Sequence, residues 1–134
     1  MKKTVLSYNL PAEEEAALRR LAGDGVSVLS VPPGRFDVRL SALVKEDGEE
    51  KRAAFEEKTA EEPFRERMMV FAGFSEEAFD AFLSSLRTGK VGTGALKAVL
   101  TPSNSRWTSR ELYRELVKER EAFFRLRENR KPWR

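Results

Sequence analysis

Six residues of this 134-residue chain are placed to do chemistry: Asn9, Ser75, Lys97, Thr101, Asn104 and Trp107. Asn9 and Asn104 can each donate and accept hydrogen bonds to a polar ligand. Ser75 opens a helix whose free N–H groups suit an anion. Lys97 interrupts an otherwise apolar run with a positive charge, Thr101 adds a hydroxyl, and Trp107 can cover a bound group. Each also has a plain structural use. Ser75 and Thr108 are ordinary helix caps, Lys97 can lay its stem along the rim of a sheet with its charge in water, and Trp107 can staple onto Leu112. None of the six is a base, so the chemistry they offer is binding, and no catalytic residue is assigned.

The absences are as informative. The chain has no His and no Cys. That excludes thiolate zinc sites, Cys–His and Ser–His–Asp nucleophiles, a histidine pH switch and disulfides. A metal would need carboxylate ligands alone, and neither a metal nor a cofactor is expected. The run Thr88-Gly89-Lys90-Val91-Gly92-Thr93-Gly94 resembles a phosphate loop at a glance. However, Lys90 is followed by Val91 and the run precedes a strand, so it reads as a connecting loop. Neither strand one nor strand three ends in an acidic residue, which withholds a phosphoacceptor aspartate.

These residues are positioned by alternating strand and helix patterns. Residues 4–10 form a first strand, and Pro11 opens a helix with Glu13, Glu14 and Glu15 in its positively polarised first turn. Gly23-Asp24-Gly25 stops it, and residues 26–31 make a β-branched second strand. Asp37 caps a short helix carrying Leu40, Leu43 and Val44. Residues 67–73 give a nearly continuous apolar third strand. Ser75 then starts a helix with Phe79, Phe82, Leu83 and Leu86 at helical spacing and Phe74 stapled onto Phe79. Residues 95–101 give the fourth strand. Thr108-Ser109-Arg110-Glu111 is a capping box that opens the last helix, which frays near Glu128.

The resulting β-α-β-α-β-α-β-α order predicts an α/β fold, a small three-layer, mostly parallel sheet in the order 2-1-3-4. Strands one and three are the most continuously apolar and belong in the centre. The six candidate residues would then meet at the carboxyl edge, around the switch point between strands one and three. The alternative is a ferredoxin-like α+β sheet with an added C-terminal helix.

Residues 1–124 read as one domain, with residues 45–66 as a charged insertion or exposed helix and residues 125–134 as a basic tail. Residues 105–134 hold ten basic against five acidic residues. The interleaved Glu residues argue against nucleic acid as the partner. The longest apolar run, Met68 to Phe74, is far too short to span a bilayer. The N-terminal apolar stretch breaks at Ser7-Tyr8-Asn9 and runs into acidic residues, so a cytoplasmic location without membrane association is expected.

Leu96-Lys97-Ala98-Val99-Leu100-Thr101-Pro102, followed by Asn104 and Trp107-Thr108, resembles the C-terminal signature of a family of small bacterial proteins described as a domain of unknown function. Ser7-Tyr8-Asn9 and Ala72-Gly73-Phe74-Ser75 agree with it in order. The resemblance leaves out residues 45–62 and the tail after about Phe124, and Ser103 departs from the Thr such proteins often carry. It implies no activity, substrate or catalytic residue. Two functional expectations follow. The first is a binding or regulatory module that engages a protein partner or its own copy as a homodimer. The second is an anionic small-ligand protein, or an unrecognised enzyme, that uses the carboxyl-edge cleft. A concave pocket would favour the second and an exposed apolar patch the first.

Overall fold

A computed structural model describes residues 2–45 and 62–129. Most of the expected 45–66 insertion and half of the 125–134 tail therefore lie outside the described residues. The elements are β1 (Thr4–Tyr8), α1 (Ala12–Ala22), β2 (Ser27–Ser30), a 3-10 turn (Pro33–Arg35), α2 (Leu40–Val44), β3 (Met68–Ala72), α3 (Glu76–Thr88), β4 (Leu96–Val99), a second 3-10 turn (Asn104–Arg106) and α4 (Ser109–Asn129).

The sheet has the expected order, β2-β1-β3-β4. Every residue of β3 is buried, and in β1 only Thr4 is not, as befits strands covered on both faces. β1 pairs with β2 in parallel and β3 with β4 in parallel, but β1 and β3 are antiparallel, so the sheet is mixed. The expected crossover geometry fails at one connection, between β2 and β3. α2 supplies five residues to the described part of that connection. The chain instead returns beside the end of β1, where Asn9 Nδ2 donates to the carbonyls of Phe64 at 2.9 Å and Glu66 at 3.0 Å. β3 therefore starts where β1 ends and runs back along it.

Alternating side chains divide the core in two. On one face Val5, Met69 and Phe71 pack against Leu18 of α1 and Phe82 and Leu86 of α3. On the other, Leu6, Tyr8 and Val70 pack against Phe36, Leu40 of α2, Phe64 and Leu112 of α4. Full burial of side chains of this size contributes about 1.5–3 kcal/mol each. The second face is built around Phe64, whose ring stacks on Phe36 at 4.3 Å and on Tyr113 at 4.2 Å. Helices on both faces give the three layers expected.

Caps explain where the helices begin. The Thr108 N–H donates to Glu111 Oε1 at 2.9 Å, and the Glu111 N–H donates to Thr108 Oγ1 at 3.1 Å, a reciprocal capping box. Ser75 Oγ accepts from the Ala78 N–H at 3.1 Å, and Phe74 lies edge-on to Phe79. The assignment of Asp37 as a cap is corrected. The N-cap of α2 is Arg39, with no side-chain cap bond, and Asp37 pairs with Arg110 Nε at 2.9 Å. The reason lies in the core. Phe36 and Val38 are both buried there, and Arg39 forms an antiparallel bridge with Thr108, with the Leu40 N–H donating to the Trp107 carbonyl at 2.9 Å. The helix can start only after that bridge. At the outer strand β2, Arg19 Nη1 donates to the Val28 carbonyl at 3.0 Å.

Candidate functional site

The antiparallel β1–β3 seam separates residues that a parallel sheet would gather. Asn9 follows β1 at the edge where β3 and β4 begin, and Ser75 follows β3 at the opposite edge. Asn9 adopts a left-handed backbone (φ 61°) and spends its amide donors on the chain entering β3. Ser75 lines a depression of about 500 Å³ with Phe74, Phe79, Asp80 and Val99, and its hydroxyl already caps α3.

Lys97, Asn104 and Trp107 all line one depression of about 320 Å³ with Leu112 and Leu116, but the Lys97 ammonium is turned to the opposite face of the sheet. Their polar atoms are engaged. Asn104 Oδ1 accepts from the Thr101 N–H at 2.8 Å, and Thr101 Oγ1 accepts from the Asn104 N–H at 3.1 Å. Asn104 Nδ2 donates to the Val99 carbonyl at 3.1 Å. This reciprocal pair turns the chain out of β4 into the second 3-10 turn. Trp107 packs partly buried against the core face of α4. The residues that make this stretch recognisable thus have structural work to do.

Lys97 points away from that face. Leu96 and Ala98 pack with the α4 side, so Lys97 lies on the α3 side, where its ammonium donates to the carbonyls of Gly92 at 2.7 Å and Ala95 at 3.3 Å. Partial burial, and then the neighbouring Arg67, lower its pKa. It closes the glycine-rich loop from within. Arg67 Nη2 donates to the Thr93 carbonyl at 2.6 Å and Nη1 to Glu14 at 3.1 Å, while the Gly92 N–H donates to the Glu14 carboxylate. Gly92 and Gly94 take positive φ, 72° and 77°. The loop does hold an anion, and that anion is the chain's own Glu14.

Several interior polar groups escaped sequence reasoning. Tyr8 is fully buried and its hydroxyl lies 2.6 Å from Ser109 Oγ. Burial pushes the phenol pKa up, against the opposing effects of the Ser109 bond and the nearby charge of Arg35. Arg35 is itself completely buried, at the end of the first 3-10 turn. Arg110 is 6 % exposed and donates to Asp37 and to the Glu62 carbonyl. Glu66 accepts from Arg120 and from Tyr113, and the Arg120 contact holds its carboxyl below the usual range. A buried arginine beside charged neighbours in sequence carries no periodic signal, so only Ser7-Tyr8-Asn9 pointed near this region.

α4 supplies a different kind of surface. Its 21 residues span about 31 Å. The first turns dock through Leu112, Tyr113 and Leu116, whereas every residue from Glu121 to Leu126 is exposed. Phe123, Phe124 and Leu126 are 58 %, 53 % and 54 % exposed. Phe123 follows Leu116, and Phe124 follows Val117, by two helical turns, so the stripe that packs on the sheet continues beyond it. Among the described residues no group of acidic side chains could hold a metal ion, and no helix is long and apolar enough to cross a membrane.

Fold and surface together define a mixed α/β domain of two parallel strand-helix-strand pieces with a protruding last helix. Residues 67–123, the second piece together with most of α4, match the model of a family described as a domain of unknown function (DUF3783). Neither a curated protein nor a solved structure matches the chain.

Proposed function

We propose that the protein is a non-catalytic binding module of the bacterial cytoplasm that acts through protein–protein contact, and that its docking surface is the outer half of α4. The observation that carries this reading is the exposed continuation of the helix's apolar residues through Phe124 and Leu126. Scattered apolar residues on a surface need no explanation, but an apolar stripe that outruns its own core does.

The partner we favour is a second copy of the chain. Two α4 helices crossing antiparallel would bring the exposed apolar stripe of each copy against that of the other. A closed two-fold pairing of this kind is the commonest route to a homodimer. The small-ligand reading is less well supported, because Asn9, Ser75, Lys97 and Asn104 already bond to the chain's own groups.

Sedimentation of the full chain over a wide concentration range tests this. A concentration-dependent dimer is expected, lost in Phe124→Glu and in Leu126→Glu. A wild type that stays monomeric throughout, or a dimer indifferent to Phe124→Glu, overturns the reading.

A further inference from the structure

The order of elements repeats. Strand, helix, strand, 3-10 turn and helix occur once from Thr4 to Val44 and again from Met68 to Asn129. The same step in sequence separates Thr4 from Met68 and Ala12 from Glu76. The correspondence reaches single residues. The position after the first strand of each half is left-handed, Asn9 with φ 61° and Gly73 with φ 81°. Leu18 and Phe82, then Ala22 and Leu86, hold the same places in α1 and α3 and are buried in the same cluster. Each 3-10 turn ends at an aromatic residue, Phe36 or Trp107, that packs on the opposite face.

The two halves are also related in space as a two-fold axis requires. The β1–β3 register sets Thr4 against Ala72, Tyr8 against Met68 and Leu6 against Val70. First faces last, and the central pair holds the same place in both strands. The N-caps of the two closing helices, Arg39 and Thr108, meet in an antiparallel bridge. A strand pair and a cap pair, independent of each other, each join equivalent positions of the two halves. The family match at 67–123 covers the second half and none of the first.

We infer that the chain is a covalently joined pair of one β-α-β-turn-α unit, and that the β1–β3 seam is a like-with-like docking surface that a second copy of the C-terminal unit can occupy. The unit from Arg67 onward cannot bury β3 alone. β3 has both faces apolar and, with β4 on one side, needs a strand on the other. In this protein the N-terminal unit fills that place. This inference does not depend on the α4 reading.

The absence of cysteine makes a single engineered thiol a clean reporter of the seam. In full-length protein carrying Phe124→Glu to silence α4, Leu6→Pro removes β1 as a partner, since proline is not tolerated in a central strand. Adding Val70→Cys should then give a dimer joined by a Cys–Cys disulfide on mild oxidation. The symmetric register sets position 70 against itself and position 69 against 71, so Met69→Cys in the same background should link poorly. A monomer, or equal linking at 69 and 70, overturns the inference. Should the proline chain fail to fold, the decision rests on a reciprocal exchange in the intact seam. Leu6→Val and Val70→Leu should each lower the melting midpoint by several degrees, and the double variant should return close to wild type. A double variant as unstable as the two single losses combined overturns the axis.

Discussion

The hydroxyls of Tyr8 and Ser109, 2.6 Å apart in the core, tie the first strand to the last helix. Burial raises the Tyr8 pKa, so the folded value lies above the unfolded value of about 10. A group raised in this way contributes its stability in full below the unfolded value and loses it as pH climbs toward the folded one. Tyr8→Phe should cost about 1–2 kcal/mol at neutral pH, because Ser109 is left buried without this bond. It should also remove part of the stability loss above about pH 10. Urea melts of both proteins from neutral to alkaline pH check this, and parallel pH profiles would refute the role assigned to Tyr8.

Glu66 gives the opposite sign. Its bond to Arg120 lowers its pKa, so the contribution is present above the unfolded carboxylate value and is lost as pH falls through the folded one. Glu66→Gln should lower stability by less than about 1 kcal/mol at neutral pH, since the pair is partly exposed. Wild type and variant should converge below about pH 4. Acid titration followed by circular dichroism measures it, and a gap that persists in acid would rule out the charge as the cause.

The glycine-rich loop should be intolerant at one position in particular. A Cβ on Gly92 would meet Met69 Sδ at 2.7 Å, in a backbone with φ +72°. Gly92→Ala should therefore cost roughly 1–3 kcal/mol, a fall of several degrees in the melting midpoint. Gly94→Ala, also left-handed but meeting only the Arg67 guanidinium at 3.4 Å, should cost less. Differential scanning calorimetry of the two variants ranks them, and the reverse order would remove steric contact as the explanation.

Thr108 serves both the capping box and the bridge to Arg39. Thr108→Ala removes only the side-chain half of this and should cost about 1 kcal/mol. Thr108→Ser keeps the hydroxyl and should recover most of it. Thermal melts of the pair decide whether the hydroxyl or the methyl matters.

What could be read from the sequence is what is local. The capping box at Thr108 and Glu111, the Ser75 cap and the buried run Met68–Ala72 are each written within a few residues, and each appears where expected. Strand order followed from the same runs, because β1 and β3 are the most continuously apolar. The direction of β3 was not legible. It depends on Asn9 gripping the Phe64 and Glu66 carbonyls across more than fifty residues, and no periodicity encodes such a grip. Asn9 and Ser75 lie at opposite edges of the sheet for that reason, while Lys97, Asn104 and Trp107 line one depression. The repeat was hidden because the paired positions agree in element order, backbone conformation and core cluster more than in identity. Phe82 stands for Leu18, and Lys97 stands where β2 has Val28.

Arg19 on the Val28 carbonyl and Asn104 on the Val99 carbonyl have a joint consequence. β2 and β4 are the two rims of the sheet, and each has an outward carbonyl already taken by a side chain. A fifth strand, from a neighbour or from a misfolded copy, would have to displace one of these bonds before it could pair. The sheet is therefore closed at a width of four strands. The same arrangement guards the molecule against growing sideways into a fibre, a hazard for any small protein whose central strands are this apolar.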